Sequence, residues 1–254
     1  MAVSANESRK IMERIGFPQE AVDTIGDCTE RVSENADFNA LVDEFIAHPE
    51  NLDSVLERLK VLSEQLGENE YTMNMCLLLG ACPALRERYA EKGIDEAIFW
   101  KSIEDMRWKL RECMDCEEVW GTFVPHWYRG FFEMTRFGLG RFQFEETDFD
   151  ADYYEKCGNT LKRGDTVINF HIPSAGPLTD EKRLDSYKQA YKFFGGKDGE
   201  PMALRMSVTS SFLGKTKRPA SCLTRFIFNA NRPGIEPSPQ GFGDLHACHY
   251  NNDL

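Results

Sequence analysis

Two stretches of this sequence alternate polar with apolar residues and end on side chains that can move protons. In residues 166–172, Val167, Asn169 and His171 share one face of a strand, and Ile168, Phe170 and Ile172 share the other. A histidine at the end of such a polar face suits the removal of a proton from an amine, because its ordinary pKa of about 6.5 leaves it neutral and basic near pH 7. In residues 139–145, Phe142 and Phe144 point one way and Arg141, Gln143 and Glu145 the other. Laid beside the first strand, this second polar face lines the same cleft and offers Glu145 as an alternative base. Ser174-Ala175-Gly176 follows the histidine strand and precedes a helix. The first N–H groups of a helix lack partners within it and carry the positive end of its dipole. With a glycine that lets the backbone come close, such a loop suits an anion such as a pyrophosphate. Each pattern also fits a plain role: a connection without ligand, a hydrogen-bonded structural histidine, a solvated sheet face. The candidate catalytic residues are therefore His171 and Glu145, and the candidate ligand-binding residues Ser174, Ala175 and Gly176.

These residues need a scaffold, and the first half of the chain supplies helices. Ile11, Met12 and Ile15 form a short stripe stopped by Gly16, and Pro18 opens a second helix running to about Val32. Phe38, Leu41, Val42, Phe45 and Ile46 recur on one helical face that ends at His48-Pro49. Asn51 suits the cap of the next helix, whose stripe from Leu52 to Leu66 stops at Gly67. Residues 71–81 are apolar nearly all round, which predicts a buried central helix. Pro83 is expected to open another helix closed by Gly93, and residues 94–113 to form one long amphipathic helix. Connections this short favour an antiparallel bundle. After about residue 120 the period changes. A short helical aromatic stretch around His126 to Phe132 leads to the two strands, with a turn at residues 162–165 between them. A helix capped by Thr179 or Asp180 follows, then a weaker strand within residues 202–212.

Composition narrows the function. The net charge of -12 over 254 residues repels phosphate on average, so nucleic acid is not an expected partner. No run approaches the roughly 20 apolar residues of a spanning helix, and the N-terminus lacks the basic-then-apolar pattern of a signal peptide. A cytoplasmic setting, with the eight cysteines as free thiols and no membrane partner, is the expectation. Cys113-x-x-Cys116 lies too far from His246, Cys248 and His249 to read as a zinc site, so no metal is expected. Residues 201–254 hold six Lys or Arg against three Asp or Glu, opposite in sign to the chain as a whole. From residue 214 the chain is rich in Pro, Gly, Asn and Ser, and an irregular tail is expected. The abrupt change near residue 204 is what a shifted reading frame produces.

The residues resemble a known family. Gly93-Ile94-Asp95 through Ser102-Ile103-Glu104-Asp105-Met106-Arg107 is similar to the last helix of the N-acyltransferase N-terminal domain. His126-Trp127 and Phe137-Gly138-Leu139-Gly140-Arg141-Phe142-Gln143-Phe144-Glu145 resemble the start of the GNAT-like C-terminal domain that accompanies it. Gly164-Asp165, Val167 to Pro173, and Gly176-Pro177-Leu178 form the most specific match. The resemblance covers roughly residues 1–200. It implies an α+β protein: a helical bundle over residues 1–120, a GNAT-like mixed α/β domain over 121–213, expected to be incomplete at its C-terminal end, and the tail at 214–254. It also implies acetyl-CoA or another acyl-CoA as co-substrate, with a small molecule accepting the acyl group. Two departures stand out. The loop holds only Gly176 with two prolines where GNAT proteins carry Gln/Arg-x-x-Gly-x-Gly/Ala. Residues 205–213 replace the family's strand of pattern Cys-x-Ser-Trp-Leu-Leu. The leading expectation is acyl transfer to a small amine. The second reading is a GNAT-shaped module that binds or senses a small ligand without transferring anything.

Overall fold

The computed structural model describes residues 3–148 and 166–195, together with the backbone of residues 204–207. The turn expected at 162–165, the tail at 214–254 and the residues His246, Cys248 and His249 lie outside the described residues. The chain divides into two compact units, one ending at Gly138 and the other beginning at Leu139.

The first unit is built from helices whose ends are written in the sequence. Helix α1 (Ala5–Ile15) starts where Ser4 Oγ accepts the Glu7 N–H and stops at Gly16, in the left-handed region at φ 81°. Helix α2 (Gln19–Val32) follows Pro18 directly. In α3 (Ala36–Ala47), the Asn35 side chain caps the Phe38 N–H, and Phe38, Leu41, Val42 and Phe45 are buried. A 3-10 turn (Pro49–Asn51) leads into α4 (Leu52–Leu66), which ends at Gly67 with φ 69°. Asn51 is the last residue of that turn and makes no side-chain cap bond, so the expected cap is absent.

Helix α5 (Glu70–Glu91) is the core, packed against α1, α2, α3, α4 and the following helix α6 (Glu96–Ile103). Leu77, Leu78 and Leu79 are wholly inaccessible. Each fully buried side chain of this size contributes about 1.5–3 kcal/mol. That burial corrects one expectation. Pro83 does not start a new helix but lies inside α5. It removes one backbone bond, yet buried residues on both sides, Leu79 and Leu85 among them, carry the helix through it.

The long helix expected over 94–113 is instead α6 and α7 (Asp105–Glu117), broken at Glu104, where the Arg107 N–H bonds Glu104 O across a tighter turn. The end of α6 has a visitor. Gly138 N–H donates to Ser102 Oγ, and a Cβ at Gly138 would lie 2.6 Å from the Lys101 carbonyl oxygen. Periodicity reports only a helix's own faces and is blind to such an approach. A 3-10 turn (Pro125–Tyr128) and the single turn α8 (Arg129–Phe132) close this half.

The sheet has four strands in the order β1-β2-β3-β4: β1 (Arg136–Leu139), β2 (Phe142–Asp148), β3 (Thr166–His171) and β4 (Leu204–Ser207). The single strand expected at 139–145 is thus two strands joined through Gly140 and Arg141. Gly140 has φ 65°, and a glycine at positive φ opening a two-residue connection is the pattern of a type II′ turn. Strand β2 runs antiparallel to β3, with Gln143 opposite His171 and Glu145 opposite Asn169. Strand β4 runs parallel to β3, and α9 (Asp180–Phe193) is the crossover between them. The structure is therefore α+β, a helical region followed by a small mixed sheet. No helix among the described residues is long and apolar enough to cross a membrane.

Candidate functional site

One face of the sheet holds its core. Phe142 and Phe170 pack 5.2 Å apart, centre to centre, and Tyr187 of α9 contacts both, at 5.6 Å and 5.5 Å. Burial pushes the Tyr187 hydroxyl pKa up. Because side chains alternate, Gln143, Glu145, Asn169 and His171 all lie on the opposite face.

That face is not the solvated surface that polar residues usually make. Gln143 is 3% exposed, Asn169 7% and His171 6%. The antiparallel register sets His171 and Glu145 on a diagonal, and His171 Nε2 lies 3.2 Å from Glu145 Oε2. Asn169 Nδ2 lies 3.1 Å from the same nitrogen. The two candidate bases are one hydrogen-bonded pair. A carboxylate beside an imidazole orients the ring and favours the protonated form, which suits a histidine that must accept a proton.

Gln143 Oε1 and Asn169 Oδ1 are buried and meet no hydrogen-bond partner. Buried amide oxygens are nearly always bonded, and leaving one bare costs about 1–3 kcal/mol. Sequence reasoning passed over both residues. It placed them on a polar strand face but could not tell that the face is covered.

Arg141 was missed in a different way. Counting by two put it on the β2 face, whereas it follows Gly140 in the connection between β1 and β2. Its backbone N–H donates to Ser186 Oγ, and Ser186 in turn donates to Lys182 O on α9. Its guanidinium donates to the carbonyls of Pro173 (2.8 Å) and Gly176 (2.9 Å). Arg141 therefore holds both ends of the Ser174-Ala175-Gly176 loop. It is 8% exposed, its Nε has no partner, and burial pulls its pKa below the ordinary value. The signal that could have found it is Gly140 itself, a turn residue in the middle of an otherwise regular strand pattern. A Cβ there would lie 2.6 Å from Ser186 Oγ and 3.0 Å from Ser186 Cα.

The loop's geometry defines what it offers. The Ala175 N–H is bonded to Pro173 O at 2.7 Å, and neither Pro173 nor Pro177 has an N–H. Ser174 and Gly176 each carry a backbone N–H. In a trans peptide the C=O and N–H point in opposite directions, so the pull of Arg141 on the Pro173 carbonyl turns the Ser174 N–H away from it. Gly176 has φ 76°, and nothing lies within 4 Å of where its Cβ would be. Thr179 Oγ1 caps the Lys182 N–H of α9, as expected, and Asp180 and Glu181 occupy the first turn.

Among the described residues no group of three His, Cys, Asp or Glu is placed to hold a metal. Cys113 is buried, with its pKa raised to about 11 chiefly by desolvation, while Cys116 is exposed.

Comparisons with known proteins agree with this architecture. Residues 6–134 match the N-acyltransferase N-terminal domain, and residues 137–214 the GNAT-like C-terminal domain. No curated protein matches the chain. Among solved structures, an acyltransferase in complex with decanoyl-CoA is similar over 74% of this chain and 57% of its own length, at 20% identity and TM-score 0.55. An acyltransferase in complex with decanoyl-CoA and teicoplanin matches 80% of this chain and 61% of its own, at 16% identity and TM-score 0.57. A third, with CoA and 10C-teicoplanin, matches 82% and 62%, at 14% identity and TM-score 0.56. The chain thus spans about three fifths of the length of these structures. At such identities the likeness is one of fold. With both halves matched in order over residues 6–214, the chain belongs to the family that joins an N-acyltransferase N-terminal domain to a GNAT-like C-terminal domain.

Proposed function

We propose that this protein transfers an acyl group from an acyl-CoA to an amine. The observation that carries the reading is the His171–Glu145 pair on a buried sheet face, at the end of the strand from which the Arg141-held loop departs. The amine nitrogen attacks the thioester carbonyl. The C–N bond forms, the C–S bond breaks, and the CoA thiolate leaves. The proton given up by the nitrogen passes to His171 and from there to the thiolate. Ser174 and Gly176 contribute backbone donors toward the pyrophosphate, with the open space at Gly176 admitting it, and Ala175 shapes the loop. Arg141 adds a buried positive charge behind these groups, where the low dielectric strengthens its pull on an anion. The decanoyl-CoA ligands of two solved neighbours support the donor class. The paired base supports an acceptor that must lose a proton.

The test is a melting curve with acetyl-, octanoyl- and decanoyl-CoA, followed by release of free CoA thiol when a primary amine is added. At 100 times the dissociation constant, a bound donor stabilises the fold by about 2.7 kcal/mol. Gly176→Asp should abolish the shift, because its carboxylate enters the anion site. An unchanged melting curve in millimolar acyl-CoA would overturn the reading. A shift without thiol release would favour a module that binds the ligand and transfers nothing.

A further inference from the structure

Two groups converge on His171 Nε2, and they cannot both be satisfied as donor and acceptor labels suggest. Glu145 Oε2 lies 3.2 Å away and Asn169 Nδ2 3.1 Å. A neutral imidazole carries a proton on one nitrogen and a lone pair on the other. If Nε2 is protonated, its N–H faces Glu145 correctly but meets the Asn169 N–H groups donor to donor. If Nε2 is bare, it accepts from Asn169 but sets its lone pair against the carboxylate. A protonated Glu145 would ask one lone pair to accept from two donors. It would also ask a carboxyl with 21% of its side chain exposed to keep its proton at neutral pH.

The two ends of an amide are nearly equal in size, so the balance of donors and acceptors decides which end faces the ring. Turning the Asn169 amide by 180° resolves the conflict. Oδ1, which otherwise has no partner, then faces Nε2. One N–H serves two acceptors, Asn169 Oδ1 and Glu145 Oε2. The amide nitrogen moves to where the oxygen had no partner, so one amide end is unbonded either way. Between His171, Asn169 and Glu145, this arrangement leaves no like-for-like contact at Nε2.

We infer that Asn169 is a positioning residue which, with Glu145, fixes the proton of His171 on Nε2, so that the nitrogen that takes up the amine proton is Nδ1. The inference rests on the acyl-transfer reading for its role in catalysis, but the tautomer itself does not depend on any substrate. When the amine gives up its proton, Nδ1 gains it. The resulting imidazolium keeps its Nε2–H on the carboxylate, which offsets the new charge where it forms. Asn169 touches no reacting atom in this scheme and acts through the ring.

The experiment is long-range proton–nitrogen correlation NMR on the full chain with ¹⁵N-labelled histidine, without substrate, at a pH where the ring is neutral. His171→Gln assigns the signal by its loss. The Nε2–H tautomer should outweigh the other by at least about tenfold, the ratio that one charge-assisted hydrogen bond sustains. Asn169→Asp keeps an acceptor oxygen and should keep that ratio, whereas Asn169→Leu should reduce it. A wild-type ring with a bare Nε2 overturns the inference, whatever the variants do. So does a ratio unchanged in a folded Asn169→Leu. If the tautomer is as stated and no thiol is released with any acyl-CoA and amine, the transfer reading fails alone. If thiol is released and Nε2 is bare, the tautomer inference fails alone.

Discussion

Thr29, Thr72, Asn74 and Ser102 of the helical unit and Gln143 and Asn169 of the sheet unit meet burial in opposite ways. In the helices, four buried polar side chains each have a backbone partner. Thr29 Oγ1 donates to Ile25 O at 2.7 Å, Thr72 Oγ1 to Trp120 O at 3.0 Å, Asn74 Nδ2 to Thr122 O at 3.1 Å, and Ser102 Oγ to Ile98 O at 2.8 Å. On the sheet face, Gln143 and Asn169 are also buried, yet each keeps one end of its amide without a partner, and Arg141 buries a charge against carbonyls. Polar groups of the first kind are consumed by the fold. Those of the second kind cost stability, and a fold keeps such a cost where function repays it.

The largest expected effect separates the two kinds. His171→Ala should lower kcat/KM for acyl transfer by about 10²–10⁴, the usual contribution of a positioned base, with the melting temperature nearly unchanged. A variant that melts early but turns over normally when folded would place His171 with the helical unit's structural residues and break the contrast. Leu78→Ala probes the other side. Leu78 is wholly buried in α5, and its truncation should cost about 2–5 kcal/mol in denaturant unfolding. Turnover per folded molecule should stay as it was.

The contrast also explains what sequence reading captured. Gly16 and Gly67 end helices because only a residue without a side chain enters the left-handed region freely, and that property belongs to the residue itself. The helical stripes of α1 to α4 are local in the same sense. Pro83 is the counterexample in the bundle, since its local preference lost to burial on both sides. At the site, alternation placed His171 with Asn169, and Gln143 with Glu145. The pairing of His171 with Glu145 was legible only conditionally, because it depends on which strand lies beside which and in what register. Burial of that face, and the reach of Arg141 to Pro173 and Gly176, depend on how distant segments pack. No window of sequence contains that information.

A smaller effect tests whether the bare amide oxygen is held for function. Gln143→Leu removes an unsatisfied polar group and replaces it with an apolar side chain of similar length. It should leave stability unchanged or raise it by about 1 kcal/mol in urea unfolding, while acyl transfer falls. Loss of more than about 2 kcal/mol would mean that the amide is bonded in solution, and the sheet face would then resemble the helical unit after all.

The smallest effect concerns the surface of the helical unit, where Arg31 and Glu68 form an ion pair. Arg31 meets Glu68 through two bonds, Nε to Oε1 at 2.5 Å and a terminal nitrogen to Oε2 at 2.9 Å. The hydrogen bond from Arg31 is the main cause that holds the Glu68 carboxyl below its ordinary pKa, against the opposing effect of partial burial. A carboxyl whose folded pKa lies below its unfolded one binds fewer protons when folded. Its contribution is therefore complete above the unfolded value of about 4.3 and is lost as the pH falls through the folded value. The Arg31 side chain is 57% exposed, so solvent screens the pair and its worth stays below about 1 kcal/mol. Glu68→Gln should thus be slightly less stable than wild type in urea at pH 7. The two proteins should converge as the pH is lowered past the glutamate range. A gap that persists in acid would show that Glu68 acts by packing, and a gap of several kcal/mol at pH 7 would show that this surface, and not the α5 core, holds the bundle together.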